Sequence, residues 1–199
     1  MAGRQADWAL GFADETWWSR VAQPQAHSWV EASEGPLRLI EQAAPKDDPD
    51  PKALACSGVL LRQVRQPERV WVRFVEGRPL SAITEQFLGW CCGRLQLAGV
   101  RVWVLIWDNA SWHVSKRVRA WIRTHNREVK QHGQGVRILP CYLPVKSPWL
   151  NPIEPKWVHG KRAIVEPARL LSAQEVADRV CAHFGCSHDA HLDIPDKAA

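Results

Sequence analysis

The stretch "VLIWDNASWH", residues 104–113, contains the strongest structural signal in the chain. Its apolar beginning, which extends back to Val102, is typical of a buried β-strand, and a carboxylate, Asp108, follows where the strand should end. Asn109 comes next, and His113 lies where a helix is expected to begin. Such a carboxylate is either turn chemistry that leads into a helix or part of a functional site at the end of the strand.

Patterns on both sides of this stretch predict an α/β domain. Period-two alternation indicates strands, and apolar residues at helical spacing indicate helices between them. The predicted strands are 8–15, 54–64, 69–77, 102–107 and 136–139, and the predicted helices are about 81–98, about 112–127, one after Asn151 and one after Ser172. Parallel strands need helical crossovers, so this order favours a layered sheet with helices.

Two helix starts carry local signals. Asn151 precedes Pro152, which predicts an N-cap followed by proline at the first helical position. Ser172 and Glu175 have the spacing of a capping box, in which each side chain bonds the other residue's backbone N–H.

Composition bounds the class of protein. The chain has 199 residues, 46% of them hydrophobic and 24% charged, which is typical of a folded domain rather than a disordered segment. The longest strongly apolar run, 102–107, is far shorter than the ~20 residues that span a bilayer. The first residues contain no export signal, and the six cysteines include no C-x-x-C pair, so we expect reduced thiols in a cytoplasm.

Charge is segregated along the chain. The net charge is +5, but residues 109–162 alone carry +9 by formal counting of Lys and Arg against Asp and Glu. A basic block of this size favours a polyanionic partner, because Lys and Arg that neutralise phosphates release condensed counterions. The alternative is a solvated helix face.

A second predicted strand also ends in acid, since "GFADE" places Asp14 at its end. Active sites of open α/β sheets gather at the carboxyl ends of strands, so Asp14 and Asp108 are expected to lie close together. Two neighbouring carboxylates repel when both are ionised, and Mg²⁺, which prefers oxygen ligands, removes that repulsion. The pattern therefore indicates a divalent-metal site.

Each acid also has a purely structural interpretation. Asp108 could begin a turn, and Asp14 could simply end a strand. Glu154 lies three residues after Asn151, where a glutamate commonly reaches back to the cap. Glu15 is a rival ligand, although alternation along the strand points it to the opposite face from Asp14.

Three segments together resemble the catalytic signatures of DDE transposases in the mariner-like superfamily, specifically its bacterial insertion sequence six-thirty branch. They are "FADET" with Asp14, "IWDNASWH" with Asp108 and "SPWLNPIEPKW" with Glu154. The last motif is the most specific, and its matching residues are Ser147, Pro148, Leu150, Asn151, Pro152, Ile153 and Glu154. The resemblance extends from about residue 8 to residue 184.

The resemblance implies an RNase H-like α/β fold, in which a mixed central β-sheet is flanked by helices on both faces. It divides the chain into a catalytic domain over 1–185 and a polar C-terminal tail over 186–199. The family normally carries N-terminal helix-turn-helix DNA-binding domains, and their absence here implies a truncated copy, a split reading frame or an excised domain. The 45 residues between Asp108 and Glu154 exceed the superfamily's usual interval.

The implied activity is cleavage of DNA at transposon ends and transfer of the freed 3′-hydroxyl to target DNA. Asp14, Asp108 and Glu154 would be the catalytic residues and would hold two Mg²⁺ or Mn²⁺ ions. The positions that match the family beside these acids imply that Asn109, His113 and Asn151 orient them or contact phosphate. The alternative for His113 is an ordinary histidine at the start of a helix. The implied contacts to the DNA backbone are Lys116, Arg117, Arg119, Arg123, Lys146, Lys156, Lys161 and Arg162.

The implied partner is double-stranded DNA, with a homodimer in the full-length protein, in the nucleoid-associated cytoplasm of a bacterium. Two alternatives stay open at this stage: another RNase H-like nuclease, or an inactive remnant that binds nucleic acid without cutting it. Near the C-terminus, "CAHFGCSHDAH" offers a possible zinc site, but its spacing fits no familiar template and ordinary packing is expected. The residues concerned are Cys181, His183, Cys186, His188 and His191.

Overall fold

The computed structural model describes residues 5–21, 44–78, 80–164, 166 and 169–193. Within these ranges the strands are β1 (Trp8–Ser19), β2 (Ala53–Gln63), β3 (Arg69–Val75), β4 (Val102–Trp107) and β5 (Arg137–Tyr142). The helices are α1 (Ser81–Leu97), α2 (Lys116–His132), α3 (Glu154–Ile164) and α4 (Ala173–Phe184). Every strand and helix predicted from the sequence is present.

The five strands form one mixed sheet in the order β3-β2-β1-β4-β5. β1 pairs with β2 antiparallel and with β4 parallel, and β4 pairs with β5 parallel. β1 is therefore the central strand, and it separates the antiparallel half of the sheet from the parallel half.

Helices cover both faces of this sheet, as predicted. On one face, Ala9 and Ala13 of β1 pack in a core with α1 and α2, whereas Phe12 and Trp18 pack on the other face with α3 and α4. Alternation along β1 produces this division, since successive side chains of a strand point to opposite faces. Adjacent residues of β1 thus belong to different layers of the protein.

The predicted bounds of α2 are wrong at both ends. Residues 111–113 form a turn, and the helix begins at Lys116, where the Ser115 side chain accepts a hydrogen bond from the backbone of Val118 at 3.2 Å. It continues to His132 and ends at Gly133, whose φ of 65° suits glycine. Helical periodicity alone did not reveal that Trp112 and His113 are held by contacts outside the helix.

The predicted start of α3 is also wrong. Asn151 ends a 3₁₀ turn over Pro148–Leu150, and the helix begins at Glu154, whose backbone N–H donates to the Asn151 carbonyl at 3.1 Å. Oδ1 of the Asn151 side chain accepts from the backbone of Ile153 at 3.5 Å, and its Nδ2 donates to the carbonyl of Ala13 at 3.1 Å. This bond ties the entrance of α3 to β1. The capping box of Ser172 and Glu175 at α4 is confirmed.

The segment after α4 runs along the edge of the sheet beside β3. Leu192 is buried, donates from its backbone to Phe74 and accepts from Glu76, both at 2.8 Å. Such a contact shields an edge strand from pairing with other chains. In the described part of the chain, no helix is both long and apolar enough to cross a membrane.

Candidate active site

The register of the parallel strands determines where the first two acids lie. Phe12 of β1 pairs with Ile106 of β4, and this is the last parallel pair between these strands. Asp14 and Asp108 each lie two residues further along their strands, at the carboxyl edge of the sheet. This pairing brings the two acids to neighbouring strand ends, as expected from two acids at the carboxyl ends of predicted strands.

A cavity of about 370 Å³ opens at this edge. Asp14, Asp108 and Glu154 all line it, together with Asn109 and Asn151. Its remaining wall is Ala110 and the segment 143–148 that leads into α3. Five of the six residues predicted at the site from sequence therefore share one cavity, and the sixth, His113, lies directly behind it.

Asp14 is held by a tryptophan of α3. The indole of Trp157 donates to Oδ2 of Asp14 at 2.9 Å. The indole fits because Gly58 of β2, paired with Asp14, has no side chain; a Cβ there would lie 2.3 Å from Trp157 Cη2. Burial, followed by the charges of Glu154 and Glu15, raises the pKa of Asp14 to about 7, although the indole bond opposes this shift.

Asp108 has the opposite electrostatic environment. Its Oδ1 lies 2.7 Å from Nδ1 of His113 and 2.9 Å from the backbone N–H of Ala110. The hydrogen bond from His113 is the main cause of a lowered pKa for Asp108, against a smaller opposing effect of burial. Asp108 is therefore ionised under conditions in which Asp14 still retains a proton.

His113 is buried behind Asp108 and stacks on Trp107, with ring centroids 4.5 Å apart. Its Nε2 lies 3.1 Å from Oε1 of Glu15, whose other oxygen accepts from the Trp112 indole at 3.0 Å. Burial lowers the pKa of His113, but the carboxylates of Glu15 and Asp108 outweigh it and raise this pKa to about 9. The side chain is thus an imidazolium that donates to one carboxylate on each side.

Glu15 is the residue whose role the sequence did not reveal. Alternation placed it correctly on the face of β1 opposite to Asp14, but its contact with His113 links positions 98 residues apart. The sequence features that could have indicated this contact are the adjacent acids "DE" at 14–15 and the histidine five residues after Asp108.

Glu154 occupies the first turn of α3. Burial raises its pKa, with a further rise from Asp108, whereas Lys161 lowers it. Asn109 lies on the other side of the cavity, and its side chain donates to the carbonyl of Leu143 at 2.6 Å. That bond holds the start of the segment that leads to α3.

The donor set fits a hard divalent cation. Carboxylate oxygens are the ligands that Mg²⁺ prefers. Burial, and after it the charges of neighbouring carboxylates, raise the pKa values of Asp14 and Glu154, and a bound cation would favour the ionised form of both. Among the described residues, no three His, Cys, Asp or Glu side chains are already grouped as a metal site. The acids thus line the cavity without converging on a point, and binding would draw them together.

The predicted basic residues are divided between several surfaces. Lys146 lines the acidic cavity, and the Arg119 guanidinium lies 5.8 Å from the ring centroid of Tyr142. Arg117 forms two hydrogen bonds with Glu85, and Lys156 pairs with Glu68. The other exposed members of the set are Lys116, Lys161 and Arg162.

Arg123 lies elsewhere, in a separate cavity of about 670 Å³ at the amino ends of the parallel strands. The other cations that line this cavity are Arg101, Arg127, Lys130 and Arg137, and Asp7 is its one acid among the described residues. The basic residues of segment 109–162 therefore occur near both the carboxyl ends and the amino ends of the parallel strands.

Comparison with known proteins identifies the family. A model of the DDE superfamily endonucleases matches residues 12–176. No curated protein gives a match. The chain therefore belongs to the DDE superfamily endonucleases, and the prediction of an enzyme is confirmed at that level.

Solved structures of the Mos1 transposase share the fold. The paired-end complex with the left transposon end has a TM-score of 0.56 at 19% identity, over 92% of this chain and 49% of that chain. The strand transfer complex gives 0.55 at 17%, over 92% and 48%, and the mariner paired-end complex with Mn gives 0.56 at 18%, over 92% and 49%. The RNase H-like fold is confirmed, and the chain spans about half the length of these structures.

Proposed function

Because the chain belongs to the DDE superfamily endonucleases, we propose that it is the catalytic domain of a mariner-like DDE transposase of the bacterial insertion sequence six-thirty branch. It cuts DNA at transposon ends and transfers the freed 3′-hydroxyl to target DNA. The observation that carries this proposal is the common cavity of Asp14, Asp108 and Glu154 at the carboxyl edge of β1 and β4. The "SPWLNPIE" wording around Glu154 supports the choice of branch.

Asp14, Asp108 and Glu154 would hold two Mg²⁺ or Mn²⁺ ions in this cavity. When bound, such ions activate the attacking oxygen and stabilise the leaving oxygen of an in-line displacement at phosphorus. Asp108 is ready to act as a ligand, because its lowered pKa keeps it ionised. Asp14 must release its proton first, so cation binding and proton release are coupled at this residue.

The neighbouring side chains position these acids. His113 fixes one oxygen of Asp108 and is itself fixed by Glu15. Asn151 ties α3 to the carbonyl of Ala13, which directly precedes Asp14. Asn109 holds the segment between β5 and α3 through Leu143. These four contacts connect the elements that carry the acids.

The DNA would approach along the rim of the acidic cavity. Lys146 lies in its wall, Arg119 lies beside Tyr142 at the end of β5, and Trp149 next to the cavity is 75% exposed. Cations at such a rim hold phosphates and fix position rather than read sequence. Helix-turn-helix domains would recognise the transposon ends, and the full-length protein would form a homodimer.

The test is nicking of supercoiled plasmid by the wild type and by Asp108→Asn, with and without Mg²⁺ or Mn²⁺. We expect metal-dependent nicking by the wild type, because its site contains all three acids. The nicking should be weak and show little sequence preference, because recognition of transposon ends is assigned to helix-turn-helix domains. Asp108→Asn keeps the shape of the side chain but removes its charge, so nicking should be abolished while DNA binding persists. Equal nicking by both proteins would indicate a contaminating nuclease, and the assay would then not support the proposed activity.

A second candidate function is binding of nucleic acid without cleavage. The observation that favours it is that the three acids, all within the described residues, line the cavity without forming a ready metal site. Absence of nicking by the wild type, also after a helix-turn-helix region is joined to it, together with salt-dependent DNA binding, would select this candidate.

A further inference from the structure

The cavity of about 670 Å³ at the amino ends of the parallel strands takes no part in the chemistry proposed above. Its five cations come from three parts of the chain: Arg101 directly precedes β4, Arg137 begins β5, and the other three lie on α2. Those on α2 are Arg123, Arg127 and Lys130. We call this site the basic cavity.

The cations of the basic cavity are exposed, and none of them forms an ion pair or a side-chain hydrogen bond with another residue of the described ranges. Elsewhere in the fold, exposed arginines pair with acids, as Arg117 does with Glu85. A helix C-terminus attracts cations, which accounts for Lys130 in the last turn of α2 but not for Arg101 and Arg137. Like charges around one cavity repel, and an anion bound between them would remove that repulsion.

The walls of the basic cavity are fixed by hydrogen bonds. The Asn126 side chain donates to the carbonyl of Ile138 and accepts from its backbone N–H, both at 2.8 Å, which joins α2 to β5. The backbone of Arg137 donates to the carbonyl of Arg101 at 2.9 Å, which joins the starts of the two strands. The backbone that carries the cations is therefore in place, and an anion would bind without ordering a loop.

Four cations lie along one side of α2, because they recur at intervals of three or four residues. They are Arg119, Arg123, Arg127 and Lys130, and we call them the α2 track. Arg119 lies beside Tyr142 at the end of β5, and the next residue, Leu143, lines the acidic cavity. At 1.5 Å per residue the track covers roughly 16 Å. It therefore runs from the acidic cavity to the basic cavity.

We propose that a DNA duplex lies along the α2 track, with its phosphates held by Arg119 at one end and by the basic cavity at the other. Duplex DNA has one negative charge per about 1.7 Å of axis, so roughly 16 Å of duplex carries about nine charges. A single phosphate ion would occupy only one part of this arrangement. Contacts of this kind fix position and do not read sequence. The proposal rests on the proposed function in one respect, namely that duplex DNA is the partner.

Strand β4 sets the distance between the basic cavity and the acids. Arg101 precedes the strand and Asp108 follows it, so the seven steps between them span roughly 23 Å at about 3.3 Å per residue. At 3.4 Å per base pair, this corresponds to about seven base pairs of DNA. The basic cavity would thus add affinity without touching the phosphate that reacts.

The experiment is fluorescence anisotropy of the whole chain with a short duplex of unrelated sequence, over a salt series and without divalent ions. Arg127→Gln and Arg137→Gln each remove one phosphate contact. Each should weaken binding roughly 5- to 10-fold at about 0.1 M salt and lower the slope of log K against log salt by about 0.9. The double variant should lower this slope by about 1.8. Arg69→Gln, which replaces an exposed arginine on β3, is the matched control and should bind like the wild type.

Two results would overturn the proposal. One is wild-type affinity and slope in the Arg127→Gln and Arg137→Gln proteins, folded as judged by circular dichroism. The other is saturable calorimetric binding of inorganic diphosphate that is lost in Arg137→Gln while DNA affinity stays unchanged, which would assign the cavity to a small anion. Binding without divalent ions is separate from nicking. A wild type that binds DNA through the basic cavity but does not nick it would contradict the proposed cleavage and support this site.

Discussion

The carboxylate of Glu15 lies 3.1 Å from Nε2 of His113, on the face of β1 opposite to Asp14. The other ring nitrogen of His113, Nδ1, lies 2.7 Å from Oδ1 of Asp108. One of the acids in the cavity is therefore oriented from the opposite layer of the protein. Glu15 can influence the reaction without touching the cavity itself.

Glu15→Gln should reduce metal-dependent cleavage roughly 10- to 100-fold, the usual cost of losing a group that orients a metal ligand. The substitution removes the charge that raises the pKa of His113, so this pKa should fall from about 9. Cleavage assays and NMR titration of the histidine ring measure the two effects. Glu128→Gln, an exposed change on α2, is the control, and cleavage unchanged in both variants would contradict the role of Glu15.

Asp14 makes stability depend on pH when no divalent ion is present. Its folded pKa of about 7 exceeds the ordinary value of 3.8, so between these values the folded state holds a proton that the unfolded state has lost. Stability therefore falls as pH rises through this window, by an amount on the order of 3 kcal/mol.

Asp14→Asn removes this titration. Its free energy of unfolding, from urea denaturation between pH 4 and 8 without divalent ions, should exceed that of the wild type increasingly toward neutral pH. Adding Mg²⁺ should narrow the difference, since the cation stabilises the ionised carboxylate of the wild type. A difference between the two proteins that is constant over the whole pH range would refute the assignment of this pKa to Asp14.

Charge reversal on α2 should weaken DNA binding. Arg119→Glu and Arg123→Glu should each reduce affinity for unspecific duplex DNA and lower the slope of log K against log salt, by about 0.9 for each phosphate that the protein no longer neutralises. Fluorescence anisotropy over a salt series measures both quantities, with Arg69→Glu on β3 as the control. Arg119 and Arg123 are one helical turn apart, but Arg119 contacts Tyr142 at the end of β5, whereas Arg123 lines the separate basic cavity. An effect from Arg119 alone would therefore place the DNA on the side of the catalytic acids.

Gly58 should not tolerate a side chain. In Gly58→Ala the new Cβ would meet the Trp157 ring at 2.3 and 2.8 Å, and overpacking of this kind costs about 1–3 kcal/mol. Displacement of the indole should also remove its bond to Asp14 and shift cleavage to higher pH. Gly93→Ala is the control, since nothing lies within 4 Å of its Cβ position on α1 and alanine favours helix. Equal stability of the two variants in urea would argue against this packing.

The strands were predictable because strong local signals specify them. Val102–Trp107 is continuous and apolar, and the alternation in β1 and β3 reports their two covered faces. Asp14 and Asp108 could be paired from the sequence, since parallel strands with acids at the same end leave few other arrangements.

The start of α3 and the role of Glu15 were not predictable for the opposite reason. Asn151 and Pro152 have the local chemistry of a helix start, but Asn151 ends a 3₁₀ turn and its side chain also bonds the distant carbonyl of Ala13, and the helix begins only at Glu154. The contact of Glu15 with His113 depends on the packing of α2's leading turn against β1, and no periodicity within one element encodes it. Residues 22–43, 1–4 and 194–199 lie outside the described ranges, and the division at residue 185 stays a prediction.

The pairing of Phe12 with Ile106 has a consequence for how such a gene can change. Asp14 and Glu15 are adjacent in sequence, but their side chains lie on opposite faces of β1. One residue inserted between Phe12 and Asp14 would reverse these faces, so each acid would point into the environment that the other now occupies. A codon inserted in the turn between β2 and β3 would leave both acids where they are. Length variation among descendants of this gene should therefore accumulate in that turn and be absent from the first half of β1.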